Sequence, residues 1–410
     1  MLKYKKINIK DKVIYFDLDD FRYVSGKIVQ SDDYIEEYRI CKQDRLKKLV
    51  LLMANKCNMQ CKYCVAEQGV YKNNIKENTI NIEKLSIVIS KLLKIYPAGI
   101  QYIHFFGGEP LLVYDKMVEV HKVVNNLFEK ENIELPKYSV VTNGTLIDEK
   151  IAQFINSNKI CTTISVDGTE MTHDANRIMH DGKGSYSKII NGIKSINKDL
   201  LIVEFSVSDS LVRAYEKGMI NNILEGYIAL GFKNIVFNII FSDETIAACK
   251  ENTERYNKLL LEYIEFILKE ISASRCRLYD YAILNSIISI ISKKVERNTC
   301  TAGVGSLTVT TDGRILPCYL TSEEMNIEML EPTERFTKVN PPDKCKQCWC
   351  QKICSGWCRE MTNGDIYEYK CIYQKMYLEE VIKIIYESLQ DKKLLNNIVR
   401  NIKFNGERDG

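Results

Sequence analysis

The sequence predicts an α/β fold in which a partial (β/α)6 barrel of the TIM type precedes a loop-rich, cysteine-stabilised domain and a C-terminal helix. Two observations predict this arrangement. Between residues 47 and 250, apolar β-rich runs alternate with segments of helical period, which is typical of parallel strands joined by helices. From 300 to 373 the chain is rich in turn residues and poor in apolar periodicity, so its fold needs another source of stability.

Six β/α units suit a partial barrel better than a complete eight-fold one. The predicted strands are 49–53, 102–106, 139–142, 162–166, 202–207 and 235–240. The helices predicted between and after them are 82–95, 113–129, 147–157, 183–196 and 217–230. In a parallel sheet of this kind, functional side chains are expected just after the carboxyl ends of the strands.

Simpler segments flank the barrel, and the chain divides into five predicted parts. These are a strand-rich docking element at 1–46, the barrel at 47–250, a helical bridge at 251–299, a cysteine-rich domain at 300–373 and a C-terminal helix at 374–410. The docking element holds two predicted strands, 4–9 and 13–17. A turn at 311–313 predicts a hairpin at the start of the cysteine-rich domain.

Charge and cysteine content exclude several classes of protein. The 410 residues carry 57 Lys and Arg against 54 Asp and Glu, a net charge of +3 that argues against blanket neutralisation of nucleic-acid phosphates. There is neither an apolar signal region at the N-terminus nor an apolar run long enough to span a membrane. We therefore expect a cytoplasmic, reducing location, where the clustered ones among the 15 cysteines bind metal or clusters rather than form disulfides.

The first cysteine cluster directly follows the first barrel strand and has the spacing Cys57-x3-Cys61-x2-Cys64. Three thiolates on a tight loop can hold three irons of a [4Fe–4S] cluster and leave the fourth iron open to another ligand. A structural zinc ion would need a fourth ligand, and none lies nearby in the sequence. Iron–sulfur binding is the favoured interpretation, and a structural zinc site is the alternative.

This motif resembles that of the radical S-adenosylmethionine (SAM) enzymes, in which SAM chelates the open iron and is cleaved to a 5′-deoxyadenosyl radical. The resemblance implies SAM contacts at the strand ends. The implied residues are Tyr63, Gly107, Gly108, Glu109, Asn143, Ser165 and Arg177. The Gly-Gly-Glu motif would engage the methionine amino group, and Tyr63 would lie near the adenine. Ser165 would meet the ribose, and Arg177 the methionine carboxylate.

The later cysteines resemble the seven-cysteine SPASM pattern, an extension of radical SAM enzymes that carries two auxiliary [4Fe–4S] clusters. The resemblance implies one cluster on Cys345, Cys348, Cys354 and Cys371, here called auxiliary cluster II. It implies the other, auxiliary cluster I, on Cys300, Cys318 and Cys358. A pair of zinc knuckles is the alternative. With the SAM-binding cluster, the expected cofactors are SAM and three [4Fe–4S] clusters.

Auxiliary cluster I lacks a fourth cysteine, because Gly303 and Gly305 stand where some relatives carry an extra one. An open iron there could bind a substrate thiolate. Cys350 fits no position of the pattern, which leaves a free thiol, a spare ligand and a redox partner as its alternatives. The isolated cysteines are expected to be small buried side chains; they are Cys41, Cys161, Cys249 and Cys276.

The favoured function is an enzyme that forms thioether crosslinks in a ribosomally made precursor peptide. Its expected partners are that peptide with its leader, which the 1–46 element would bind in part, and an electron donor such as flavodoxin or ferredoxin. No nucleic-acid or membrane partner is expected. The alternatives are carbon–carbon or ether crosslinking, and formylglycine formation in a sulfatase, which Tyr319 disfavours because similar enzymes carry an aspartate there. A non-catalytic iron–sulfur carrier is the alternative of another class.

Overall fold

The computed structural model describes residues 4–9, 12–17, 21–24, 38–39, 44–71, 77–240, 242–293, 300–326, 338–339, 343–351, 353–354, 358 and 366–406. The chain forms two compact units, each built from separate stretches. The first unit comprises Met1–Tyr38, Val207–Cys300 and Asn340–Gly410. The second unit comprises Arg39–Ser206 and Thr301–Val339.

The described residues contain strands in both units. In chain order they are β1 (Tyr4–Ile9), β2 (Lys12–Asp17), β3 (Arg22–Val24), β4 (Tyr38–Arg39), β5 (Leu46–Ala54), β6 (Ile100–Gly107), β7 (Lys137–Thr142), β8 (Cys161–Ser165), β9 (Leu201–Val207), β10 (Asn234–Ile239), β11 (Tyr279–Asp280), β12 (Ser306–Val309), β13 (Ile315–Leu316) and β14 (Lys338–Val339). The six predicted barrel strands are present as β5 to β10.

The α-helices lie between and after these strands in the sequence. In chain order they are α1 (Ile82–Ile95), α2 (Tyr114–Lys130), α3 (Glu149–Ser157), α4 (Glu170–Asp174), α5 (Tyr186–Gly192), α6 (Asp209–Ala214), α7 (Met219–Ala229), α8 (Asp243–Glu251), α9 (Thr253–Ser272), α10 (Tyr281–Ser292), α11 (Asp343–Lys346), α12 (Ile366–Ser388) and α13 (Lys392–Gly406). Across the described ranges, none of these helices combines the length and the apolar composition that a membrane crossing requires.

In the second unit, the strands lie side by side in the order β9-β8-β7-β6-β5-β12-β13. Every neighbouring pair from β9 to β12 is parallel, and β13 pairs antiparallel with β12 through the predicted hairpin. Helices follow the strands β5 to β8, and Asn81 and Asp148 cap two of them by accepting N–H groups of the first turn. The predicted α/β class is confirmed, and the carboxyl ends of the parallel strands share one edge of the sheet.

The first unit contains the N-terminal strands, which form an antiparallel sheet in the order β1-β2-β3. This sheet packs on α12: Lys5 forms a 2.8 Å ion pair with Glu379, and the Tyr23 hydroxyl donates to Ile382 O at 2.6 Å. The predicted strands at 4–9 and 13–17 are therefore present. Other parts of the 1–46 element, Cys41 among them, lie outside the described residues.

Two helix predictions need correction. The single C-terminal helix predicted from 374 is two helices, α12 and α13. Asp391 ends the continuity because its carboxylate accepts the N–H groups of Lys393 and Leu394 at 2.9 and 3.2 Å and so caps a new helix. The helix predicted at 183–196 is the shorter α5, since Asp174 holds the backbone just before it: the Ser185 N–H donates to Asp174 Oδ1 at 2.8 Å.

Candidate functional site

A loop carrying three cysteines, the cysteine loop (residues 57–64), follows β5 in the second unit. Its three thiols are half-buried. Two backbone hydrogen bonds fix the loop to the segment after α4. The Gln60 N–H donates to Ile178 O at 2.8 Å, and the Lys62 N–H donates to Asn176 O at 3.0 Å. The cysteine loop is thus tied to a distant stretch of the same unit and does not depend on its own sequence alone.

Hydrogen-bond donors reach two of the three sulfurs. The Met59 N–H lies 3.4 Å from Cys57 Sγ, and the Gln68 N–H lies 3.3 Å from Cys64 Sγ. The Asn143 side chain, at the end of β7, adds a donor 3.7 Å from Cys57 Sγ. Hydrogen bonds to a sulfur stabilise its thiolate and tune a bound iron–sulfur cluster.

Two thiols of the cysteine loop have raised pKa values. Burial raises the pKa of Cys57 to about 12, and the charges of Cys61 and Cys64 add to the rise. Burial also raises the pKa of Cys61, although the nearby Arg177 opposes it. Such thiols ionise when a metal centre replaces their protons. Three thiolates at this spacing therefore fit a four-iron cluster.

A site for a single metal ion places several ligands around one point. Within the described part of the chain, no group of three or more His, Cys, Asp or Glu side chains is placed to share one metal ion. A four-iron cluster does not require such a group, because each thiolate binds a different iron. The half-buried thiols of the cysteine loop are therefore compatible with a four-iron cluster.

A glycine pair at the end of β6 lies against the start of the cysteine loop. The Gly108 N–H donates to Ala54 O at 2.8 Å. A Cβ at Gly107 would lie 2.7 Å from Ala54 O, and a Cβ at Gly108 would lie 2.3 Å from Lys56 O. Gly107 also has a φ of +132°. Only glycine allows this approach of two backbones.

Replacing Gly108 by alanine should displace this contact. We expect the free energy of unfolding to fall by about 1–3 kcal/mol, the usual cost of overpacking, and SAM binding to weaken. Chemical denaturation and equilibrium dialysis would measure the two effects. Gly226→Ala in α7 is the matched control, because a Cβ there meets nothing within 4 Å. Equal stability of the two variants would contradict the close-approach role of Gly108.

Glu109 organises the edge of the sheet. Its buried carboxylate accepts the Thr142 hydroxyl at 2.6 Å, the Asn143 N–H at 2.8 Å and the Leu111 N–H at 3.0 Å. Burial raises its pKa to about 7, against the opposing effect of these donors. Glu109 therefore joins the end of β6 to the end of β7, next to the cysteine loop.

Asp167, just after β8, joins two of the residues that the sequence assigned to SAM. Its Oδ2 accepts the Tyr63 hydroxyl and, at 2.8 Å, the Arg177 Nε–H. The guanidinium lies 5.4 Å from the centre of the Tyr63 ring. The other carboxylate oxygen accepts the Ser206 N–H at 3.2 Å. Arg177 is 9% exposed and Asp167 1%, so this is a buried ion pair.

Ser165 has an acidic neighbour on the next strand. Its hydroxyl donates to Glu204 Oε2 at 3.1 Å, and the two residues are directly opposed in the β8–β9 register. A serine hydroxyl and a carboxylate side by side offer acceptors for the hydroxyls of a sugar.

All seven predicted SAM-binding residues belong to the second unit, after or at the ends of β5 to β8. Asp167 and Glu204 were not among the predicted site residues. A signal for Asp167 was available, since it directly follows a predicted strand. Glu204 lies within β9, and a single sequence does not show which residue of the neighbouring strand stands opposite it.

The first unit gathers the cysteines assigned to auxiliary cluster II. Burial raises the pKa of Cys371 to about 11, with Cys345 and Cys354 as the neighbouring sulfurs. Lys344 and Lys375 lower the pKa of the same thiol. Two cations beside three thiols favour a negatively charged, thiolate-bound cluster. Cys348 joins the group through its N–H, which donates to Cys345 O at 3.1 Å.

The residues assigned to auxiliary cluster I are divided between the units: Cys300 and Cys358 belong to the first unit and Cys318 to the second. All three are half-buried. Tyr319, beside Cys318, packs within the second unit against Phe106, with ring centres 4.7 Å apart. Its ring thus lies against the strand that ends in the glycine pair.

The isolated cysteines differ in burial. Cys249 is buried as expected, whereas Cys161 and Cys276 are only half-buried. Cys161 is the first residue of β8. None of the three is part of the cysteine groups described above.

Comparisons with known proteins agree with this geometry. A family model described as "Radical SAM superfamily" matches residues 51–203. The matched stretch contains the cysteine loop, the glycine pair, Asp167 and Ser165.

Two relatives align over most of the chain. The "Radical SAM cyclopropyl synthase TigE" of Paramaledivibacter caminithermalis is 27% identical over 370 residues, 78% of this chain and 69% of that protein. A "Cysteine-type anaerobic sulfatase-maturating enzyme" of Clostridium novyi is 25% identical over 364 residues, 80% of this chain and 95% of that protein. The solved structure "Native anSMEcpe with bound AdoMet" has the same fold, with a TM-score of 0.67 at 19% identity, over 83% of this chain and 99% of that chain.

Proposed function

Since this chain belongs to the radical SAM superfamily, we propose that it is a peptide maturase that installs thioether crosslinks, from cysteine sulfur to carbon, in a ribosomally synthesised precursor peptide. The observation that carries the thioether chemistry is the three-cysteine set of auxiliary cluster I. No cysteine lies between Cys300 and Cys318. A fourth coordination position would then be left for a thiolate of the substrate.

Family membership implies SAM and one [4Fe–4S] cluster, which together supply a 5′-deoxyadenosyl radical when bound. Cys57, Cys61 and Cys64 would hold that cluster. The glycine pair would let SAM approach the backbone, while Arg177, oriented by Asp167, would bind the methionine carboxylate. The cation–π and hydrogen-bond contacts keep the Tyr63 ring in one orientation, so that it can pack on the adenine.

The residues that replace a cysteine near Cys300 form a tight turn. The N–H groups of Gly305 and Ser306 both donate to Thr301 O at 2.8 Å, and Gly303 has a φ of +73°. A left-handed residue in a turn favours glycine over cysteine. This geometry supports a three-cysteine auxiliary cluster I, and with the predicted two auxiliary clusters the proposed total is three.

The proposed partners are a precursor peptide with its leader and a small electron carrier of the flavodoxin or ferredoxin type. The leader would add as a strand to the N-terminal sheet, in which β1 and β3 are the outer strands of the described residues. An extended peptide binds such an edge through backbone hydrogen bonds.

Formylglycine formation in a sulfatase is the second candidate, favoured by the sulfatase-maturating relative that aligns over 95% of its length. Tyr319 weighs against it. The phenol stands at the position after Cys318 where similar enzymes carry an aspartate, and its ring packs against Phe106 and Tyr71. A phenol is a single O–H group, whereas an ionised carboxylate offers only acceptor oxygens, so a tyrosine is a poor substitute for an aspartate base.

Anaerobic co-expression with a cysteine-rich peptide encoded beside the gene tests the proposal. Each crosslink removes two hydrogen atoms from the peptide, so its mass should fall accordingly. The linked cysteines should also resist alkylation by iodoacetamide. Tandem mass spectrometry would place each crosslink on a sulfur–carbon pair.

Co-expression with Cys57→Ala is the control and should leave the peptide unmodified. An unchanged peptide mass with active wild-type enzyme would contradict peptide crosslinking. An aldehyde on a sulfatase-derived peptide, trapped by a hydrazide, would support the second candidate instead. A crosslink between two carbons would contradict the thioether chemistry alone.

A further inference from the structure

Five thiols are linked by mutual interactions at the place assigned to auxiliary cluster II, although such a cluster needs four. The five are Cys345, Cys348, Cys350, Cys354 and Cys371. Only Cys350 has no place in the SPASM pattern. Cys350 is therefore a fifth thiol beside the four predicted ligands.

Cys350 lies inside the group. It is 2% exposed, and its Sγ lies 3.3 Å from Cys348 Sγ. It is also in hydrogen-bond contact with the Cys354 thiol. The backbone fixes this position, because the Cys354 N–H donates to Cys350 O at 2.7 Å and so folds the chain back on itself.

The distance between the Cys348 and Cys350 sulfurs suits two thiols that compete for one iron, not two thiols that bind at the same time. Two thiolates on the same tetrahedral metal, with bonds of about 2.3 Å, stand roughly 3.8 Å apart. The observed 3.3 Å is shorter, so Cys348 and Cys350 are not placed to ligate together. In a [4Fe–4S] cluster, each iron also has only one position for a protein ligand, because three are filled by sulfide.

We propose that Cys348 and Cys350 are alternative ligands to the same iron of auxiliary cluster II, each able to hold the cluster when the other is absent or displaced. The inference rests on the second auxiliary cluster of the proposed function. On exchange, one iron–sulfur bond breaks and one forms. The incoming thiol passes its proton to the outgoing thiolate, so neither the charge nor the oxidation state of the site changes.

Iron and sulfide analysis of four anaerobically reconstituted full-length variants tests this inference. Cys348→Ala and Cys350→Ala should each retain the wild-type content, about twelve irons per chain for three clusters. The double variant C348A/C350A should lose about four irons. Cys371→Ala is the single control and should lose a cluster, since the sulfurs near Cys371 are those of Cys345 and Cys354 and not that of Cys350. Electron paramagnetic resonance of the reduced proteins would identify the missing signal.

Two results would overturn the inference. One is a Cys348→Ala protein that loses about four irons, the content of one cluster. The other is a Cys350→Ala protein that loses a cluster, which would make Cys350 the sole ligand. Gel filtration and circular dichroism would verify folding of each variant, and the single variants decide the question even if the double variant misfolds. A wild-type protein with iron for only one cluster would instead refute the proposed cofactor set, and the inference with it.

Discussion

Replacing Cys57, Cys61 and Cys64 together by alanine is expected to abolish SAM cleavage and to remove one of the clusters. The three thiols are the predicted donor set, and burial raises the pKa of Cys57 and Cys61, so these two ionise when a metal centre replaces their protons. The iron content should fall by about four atoms per chain. After reduction with dithionite under anaerobic conditions, 5′-deoxyadenosine should fall below detection by liquid chromatography.

Cys276→Ala is the matched control for this experiment. Cys276 is half-buried like the three predicted ligands, but it belongs to the first unit and to no predicted cluster. Its replacement should leave both the iron content and SAM cleavage at the wild-type level. Cleavage by the triple variant would show that the SAM-binding cluster has been assigned to the wrong cysteines.

Replacing Asp167 by asparagine should weaken SAM binding by roughly 100-fold, which corresponds to about 3 kcal/mol. Arg177 is 9% exposed, and a neutral amide would leave its buried positive charge without a carboxylate partner. Arg177 would then lose the orientation that presents it to the methionine carboxylate, and the Tyr63 hydroxyl would lose a charged acceptor. Equilibrium dialysis of the reconstituted protein would measure the SAM dissociation constant.

An exposed aspartate provides the comparison. Asp181 forms a 3.4 Å ion pair with Lys183 at the surface, and its side chain is 55% exposed. Surface pairs contribute about 0–1 kcal/mol, so Asp181→Asn should bind SAM as the wild type does. The iron content of both variants should be unchanged. A normal dissociation constant for Asp167→Asn would mean that Asp167 does not position Arg177 for SAM.

The sheet could be predicted because its pattern is local. The apolar runs that become β5 to β10 are visible within short windows, and parallel strands place their carboxyl ends together whatever the details of packing. The cysteine spacing and the glycine pair are also local, so the candidate site could be placed after the correct strands. The helix break at Asp391 was missed because apolar periodicity continues through it, whereas the cap is a matter of hydrogen bonds.

The pairings of the site could not be predicted in the same way. The Tyr63–Asp167 contact joins residues far apart in the chain, and so does the donation from Ser165 to Glu204. A single sequence shows which residues follow strands, but not which of them face each other. Cys350 illustrates the same limit, since its place among the ligands depends on a turn that returns Cys354 to it.

The parallel pairing of β12 with β5 bears on the order in which a newly made chain can mature. β5 leads into the cysteine loop, yet Leu49 and Val50 find their partners at Leu307 and Thr308. The Asn55 side chain, just before Cys57, also donates to the Thr311 hydroxyl at 2.8 Å. During synthesis, the support of the loop is therefore incomplete until residues beyond 311 have left the ribosome. Before then, the cysteine loop lacks the contacts from β12 and Thr311 that support it. Cluster insertion should therefore follow translation rather than accompany it.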